Sequence, residues 1–284
     1  MRIFNLISTL FLTLINFIIP KLKFEKIYKK LYINHHNIFT FIREKNYKFI
    51  YRSPDFDDLN MMCRENLKYW ESNSRYIFSE LCKTSNVILD IGSYSGIYSI
   101  IASKVNKNAE IYAFEPNPNM FEVSKKNFKI NNLRNIKAFN FAISDVMGES
   151  YLFQNHENYT SVYSLKESEN EGNSFKVQTF TLDEVIKNQN INIIDLIKID
   201  IEGFELNAIK GFKSNIQAFQ PIMITECLTE IDIRNIHDFL KEYGYEKVFQ
   251  INGNEYDQRN YLWIPTSKNI LLTNFESLLS EFPV

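Results

Sequence analysis

Lys198, Asp200 and Glu202 alternate in the string DLIKIDIEGFE at 195–205, and two further carboxylates, Asp90 and Glu115, close the apolar runs at 87–91 and 110–114. Carboxylates in such places do two kinds of chemistry. One at the end of a parallel strand accepts hydrogen bonds from ribose hydroxyls, and one beside an acceptor hydroxyl takes its proton as a new bond forms. Alternation sends Ile201 to one face of its strand and Lys198, Asp200 and Glu202 to the other. Asp200 is therefore the expected acceptor-orienting base, Glu202 a positioning or cofactor-contacting partner, and Lys198 an electrostatic contributor. The plainer role for both carboxylates is to cap a helix that starts near Gly203. Glu226, ending the next apolar run, faces the same crevice and with Asp200 and Glu202 offers oxygen ligands to a divalent cation, a site that is conceivable but not favoured.

Residues 90–96 read D-x-G-x-x-x-G, in which Gly92 allows a tight turn with close backbone approach and Gly96 opens the following helix. The amide groups and positive dipole end of that helix suit an anionic ligand group. A dinucleotide fingerprint would read G-x-G-x-x-G, with its second glycine admitting a pyrophosphate, and Tyr94 holds that place here. S-adenosylmethionine carries no pyrophosphate but has an amino-acid tail, so an aspartate near its ammonium and a helix start near its carboxylate suit it better. Glu115 falls twenty-five residues after Asp90, where ribose hydroxyls can donate to it, and Pro116 stops its strand. Ala142, Ile143, Ser144 and Asp145 fall at the next sheet edge, where a small residue can pack on adenine and Asp145 or a neighbouring amide can meet the exocyclic amine.

Positioning these groups requires strands that end side by side. Apolar runs at 87–91, 110–114, 136–141, 193–199, 221–226, 245–251 and 260–264 alternate at first with helical patterns near 96–106, 118–131 and 181–189. This predicts an α/β fold with a mostly parallel sheet covered on both faces. A helix over 203–216, broken around Gly211, precedes the fifth strand. The last two runs flank a turn at Asn252, Gly253 and Asn254, which predicts a C-terminal antiparallel hairpin at one end of the sheet. Before the sheet, residues 47–54 read as a short strand stopped by Pro54, and Asp57 or Asp58 is placed to cap a helix from Leu59 to about Lys83. Glu71 is expected to stay clear of the site.

The 284 residues, 45% hydrophobic and 23% charged, suit one large domain with appendages: an apolar and basic segment 1–30, a lead-in 31–86, the main domain 87–265 and a tail 266–284. A net charge of −2 gives no basic footprint for nucleic acid. Cys63, Cys82 and Cys227 lack metal-ligand spacing and read as buried thiols in the cytoplasm. Residues 3–19 carry no charge and twelve large apolar side chains, and five lysines follow between 21 and 30. Three readings stand: an interfacial helix whose lysines meet anionic lipid, a helix packed on the protein itself or a partner, or a true span. His35 and His36 read as a surface pair, and His237 as structural. His156 lies in a polar insertion, 151–180, enclosed by two strands, whose Tyr159, Ser161, Tyr163 and Ser164 suit a sugar.

The strings D-I-G-S-Y-S-G-I-Y-S, A-F-E-P-N-P, T-L-D-E at 181–184 and L-I-K-I-D-I-E-G-F-E, in this order and spacing, resemble the FkbM family of S-adenosylmethionine-dependent methyltransferases over about residues 87–226. The resemblance implies a class I methyltransferase (Rossmann-like) sheet of seven strands with the last antiparallel, S-adenosyl-L-methionine as cofactor, and O-methylation, commonly of a sugar or natural-product hydroxyl in polysaccharide or glycolipid pathways. Ser93 and Tyr94 depart from the alanine or alanine-asparagine common in the family. A nucleotide-dependent oxidoreductase and a non-catalytic, membrane-held scaffold of a glycan pathway are the alternatives.

Overall fold

Strands that are apolar at nearly every position must be covered on both faces, and the order of elements along this chain supplies that cover. The computed structural model describes residues 39–52, 70–154, 163–165, 174–268 and 275–284. The apolar and basic residues 1–30, His35, His36, Cys63, His156, Tyr159 and Ser161 lie outside them, as do the caps expected at Asp57 or Asp58. Among the described residues no helix is long and apolar enough to cross a membrane.

The chain opens with an antiparallel pair, β1 (Phe39–Arg43) and β2 (Lys48–Arg52), and helix α1 (Ser72–Cys82). Two strand–helix units and a third strand follow: β3 (Val87–Ile91), α2 (Ile97–Val105), β4 (Glu110–Phe114), α3 (Pro118–Ile130) and β5 (Ile136–Phe139). A small second sheet comprises β6 (Ala142–Ile143), β7 (Gly148–Gln154), β8 (Tyr163–Ser164) and β9 (Ser174–Phe180), with β7 and β9 antiparallel as the insertion's flanking strands predict. The chain then runs through α4 (Leu182–Gln189), β10 (Leu196–Ile199), α5 (Glu205–Lys210), α6 (Lys213–Phe219), β11 (Ile222–Glu226), α7 (Glu230–Leu240), β12 (Val248–Ile251), β13 (Asn260–Trp263) and β14 (Leu279–Glu281).

The main sheet has the order β14-β12-β13-β11-β10-β3-β4-β5. Strands β5, β4, β3, β10 and β11 are parallel, while β13 enters antiparallel between β11 and β12. The expected hairpin is present, with β13 as its inner strand. It does not form the edge of the sheet, because β14, from a segment read as a tail, pairs outside β12 through Phe249↔Glu281 and Ile251↔Leu279. Alternate residues divide the core between the two faces. Ile88, Ile111, Leu196 and Ile222 meet α1, α2 and the β1–β2 pair, whereas Leu89, Tyr112, Ile197 and Met223 meet α4 to α7. Asn127 and Asn131 on α3 use their side chains as a short ladder for β2, bonding to the backbone of Arg52 and Ile50.

The helix starts follow from the residues that open them. Asn117 caps α3 ahead of Pro118, Thr181 caps α4, and Thr229 with Asp232 makes a reciprocal capping box for α7. Residues 59–69 of the helix expected from Leu59 lie outside the described residues, and helix α1 runs from Ser72 with its start held from a distance. Asp257 accepts from the amides of Asn73 (3.0 Å) and Ser74 (2.9 Å), a cap supplied by the β12–β13 connection that no local pattern announces.

Candidate active site

Every parallel strand points its carboxyl end to the same side, and there Asp90, Glu115, Asp200 and Glu226 stand on or just beyond neighbouring strands. Opposite groups in the ladder, such as Asp90 beside Lys198 and Lys198 beside Ile224, keep the row in register.

The glycine turn after β3 is fixed by its surroundings. Gly92 has φ +82°, and a Cβ there would lie 1.8 Å from the carbonyl oxygen of Asp200. The close backbone approach expected at Gly92 is thus to the protein's own β10 end. Gly96 has φ +91°, and a Cβ would meet the Phe128 ring at 2.5 Å. Between them the amides of Gly92 and Ser93 donate to the Phe114 carbonyl (3.0 and 2.9 Å), and the Tyr94 amide donates to Glu115 Oε2 (2.7 Å). Three successive amides are therefore committed, and the turn has no row of donors with which to cradle a pyrophosphate.

Glu115 is buried and also accepts from the Asn117 amide through Oε1 (2.8 Å). Burial pushes its carboxyl up to about 7, against the pull of the two amide bonds. An ionised carboxylate has roughly four acceptor sites, so two remain for ribose hydroxyls. Asp90 is placed differently from expectation. Its Oδ2 accepts from the Ser99 amide (2.9 Å) and hydroxyl (2.5 Å), capping α2 from the preceding strand, and burial raises the carboxyl to about 6. Ala142 packs with Leu152 and Val177 inside the small sheet, so its side chain is not the adenine platform the sequence proposes. Ser144 donates its hydroxyl to Asp145 (3.0 Å) and its amide to the Phe180 carbonyl (2.9 Å), and Asp145 is exposed at that edge.

The second half of the row is crowded with charge. Lys198 is fully buried, and its Nζ donates to Asp200 Oδ2 (3.1 Å) and Asn260 Oδ1 (3.0 Å) while lying 5.2 Å from the centre of the Tyr98 ring. Burial opposes its charge, but Asp200, Glu71 and Glu226 outweigh that and hold it protonated. Glu202 reaches the cluster by a different route from the expected strand alternation. The strand ends at Ile199, and Glu202 takes a left-handed conformation with φ +56°. Oxygens of Asp200, Glu202 and Glu226 nevertheless converge within 4.8 Å, an arrangement with the reach to hold a cation. Burial, and then the neighbouring charge of Asp200, push the carboxyls of both Glu202 and Glu226 up, the latter strongly. Helix α5 starts at Glu205 with no side-chain cap from its N-cap residue Phe204, and Glu205 Oε1 instead holds the turn ahead of it through the amides of Ile201 and Gly203 (3.1 Å each).

Glu71 departs from the sequence-based expectation and joins this site, accepting from Tyr98 (2.5 Å) and Asn260 (3.0 Å). Asn260 and Tyr98 escape sequence reading altogether. The one signal was an asparagine opening an otherwise apolar strand, opposite Glu226 in the ladder. His237 bonds to the Glu246 carbonyl at the surface, away from the row.

A seven-strand order with an antiparallel strand set between the fifth and sixth, and carboxylates along the carboxyl ends, defines the class I methyltransferase fold. The family profile described as "Methyltransferase FkbM domain" matches residues 90–247, and the chain belongs to that family. It is similar to the hexuronic acid methyltransferase AglP of Haloferax volcanii (24% identity, covering 57% of this chain and 64% of that one). It is also similar to the methyltransferase sdnD of Sordaria araneosa (26% identity, 56% and 73%). Among solved structures, the FkbM methyltransferase of Methylobacillus flagellatus aligns at 14% identity and TM-score 0.47, covering 63% of this chain and 43% of the other. The chain thus spans less than two thirds of AglP and less than half of the solved relative.

Proposed function

We propose that the protein is an S-adenosylmethionine-dependent O-methyltransferase acting on a hydroxyl of a sugar, polysaccharide precursor or related metabolite. The observation that carries this reading is the side-by-side placement of Glu115, at a turn with no pyrophosphate cradle, and the Lys198–Asp200 pair two strands away. Glu115 would hold the ribose, and the start of α2 with Asp90 behind it would face the amino-acid tail. Ser144 and Asp145 would meet the adenine edge. When bound, S-adenosylmethionine supplies an electrophilic methyl group.

Asp200 is 28% exposed, so it can accept the hydrogen bond of an acceptor hydroxyl and then its proton. Lys198 supplies a positive charge beside Asp200, between Glu71, Glu202 and Glu226. The similar protein AglP is named for a hexuronic acid, which supports a sugar-type acceptor here. A cytoplasmic setting, with peripheral membrane contact through residues 3–30, belongs to the same reading.

An oxidoreductase using a dinucleotide is disfavoured by the commitment of the Gly92, Ser93 and Tyr94 amides. Calorimetry separates the two: S-adenosylhomocysteine should bind and NADH should not, and the reverse would overturn the proposal. With labelled methyl donor and a set of hexoses and uronic acids as acceptors, Asp200→Asn should lower turnover roughly 100-fold or more. Its cofactor affinity should stay within about twofold, since Asp200 is not placed in the cofactor half. Unchanged turnover would remove its role as base.

A further inference from the structure

We infer that Glu71 and Asn260, both outside the family-matched residues 90–247, are positioning residues that hold the Lys198 ammonium against Asp200. The inference rests on the reading of Asp200 as the acceptor-orienting base. A lysine ammonium has three donors, and at Lys198 the contacts available to them are Asp200, Asn260 and the face of Tyr98. Asn260 is in turn fixed. Its amide nitrogen donates to Glu71 Oε1 (3.0 Å) and to the Tyr256 carbonyl (3.0 Å); that carbonyl can only accept and the ammonium can only donate, so the Asn260 oxygen must face Lys198. Glu71 Oε2 accepts from Tyr98, whose ring lies against Lys198, and this closes the network.

Two features argue that this arrangement is imposed. Glu71 sits at φ 45°, a left-handed conformation disfavoured for a residue with a side chain. Asp257 stabilises that bend by capping the amides of Asn73 and Ser74, so the β12–β13 connection that carries Asn260 also fixes the backbone that carries Glu71. The members behind Asp200 are buried: Glu71 4%, Lys198 0% and Asn260 0% exposed, against 28% for Asp200. The network therefore opens to the crevice at Asp200. With the Asn260 oxygen removed, the ammonium keeps its stem flexibility and loses the acceptor that holds it opposite Asp200.

The test uses the full chain and four variants. Asn260→Leu removes the bridge. Asn260→Asp keeps an acceptor for Lys198 but sets a second carboxylate against Glu71, and adding Glu71→Gln to it supplies a donor toward that carboxylate with the net charge of the native pair. Asp200→Asn runs in parallel. Lysine labelled with ¹⁵N at the side chain should give a slowly exchanging ammonium signal for Lys198 that is lost in Asn260→Leu and regained in the double variant. This readout needs no acceptor. With para-nitrophenyl β-D-glucuronide as acceptor probe, kcat should fall about 10-fold in both Asn260 variants and recover in the double variant. KM for S-adenosylmethionine should stay close to native in every variant, and the melting temperature, lowered in Asn260→Asp, should recover in the double variant. A folded Asn260→Leu or Asn260→Asp with native kcat, or a folded Asn260→Leu with the Lys198 signal intact, would overturn the inference. If Asp200→Asn alone kept native turnover while Asn260→Leu lost the ammonium signal, the assignment of Asp200 would fail and the bridge would stand.

Discussion

At the β3–β4 edge the carboxylates are satisfied by their own neighbourhood: Asp90 bonds to Ser99 nine residues on, and Glu115 to Tyr94, 21 residues back. At the β10–β11 edge the same kind of group is held from far away. Lys198 and Asn260 are 62 residues apart, and Asn260 and Glu71 are 189 apart. The first edge uses mostly backbone amides, which any sequence that makes the turn provides. The second uses side chains brought together by the whole sheet. A cofactor common to many enzymes can be gripped by a local, reusable turn, whereas the acceptor side must be adjusted residue by residue.

Gly92→Ala should break the comparison most severely, because that glycine joins the two edges. An added Cβ would overlap the Asp200 carbonyl at 1.8 Å in a backbone conformation that alanine resists. The expected loss is about 3 kcal/mol or more in chemical denaturation, with much of the protein insoluble. A soluble variant of native stability would show that the two edges are not rigidly coupled.

Glu115→Gln sharpens the contrast at a smaller scale. One carboxylate oxygen becomes an NH₂ facing the amide of Tyr94 or Asn117, so affinity for S-adenosylhomocysteine should fall about 10-fold while kcat at saturating donor stays within about twofold. A fall in kcat with unchanged affinity would instead place Glu115 on the acceptor side.

The smallest effect is on stability as a function of pH. Burial raises Glu115 and Glu205 to about 7 and Asp90 to about 6, above the range these carboxyls have when unfolded. Between about pH 4.5 and 7 the folded state therefore binds more protons than the unfolded state, and stability must fall as pH rises through that window. Without bound cofactor the melting temperature should therefore be higher at pH 5.5 than at pH 7.5. Glu115→Gln should flatten that slope. A melting temperature that rises across the interval would contradict the burial of these groups.

Much of this fold can be read from local pattern. The runs that become β3, β4, β10, β11 and β13 are apolar at the spacing a doubly covered strand needs, and Gly92 and Gly96 mark turns where a side chain meets backbone or ring. Asp200, Glu202 and Lys198 were legible as a group because they crowd one strand end. The role of Ala142 was misread because a two-residue strand, β6, carries it into the small sheet's core. Asp90 was placed near a ligand because the capping of α2 from another element leaves no mark in spacing.

The sequence by itself determined the class of sheet, the glycine turn after β3 and the identity of the crowded strand end, since each depends on residues within one or two elements of each other. Tertiary structure alone decided that Asn260 meets Lys198 and Glu71, that Glu205 holds the turn after the strand end, and that Glu226 is buried beside Asp200 and Glu202. The physical reason is range. Hydrogen bonds and charges between groups many residues apart depend on where whole strands and helices come to rest, and periodicity along a chain carries no record of that.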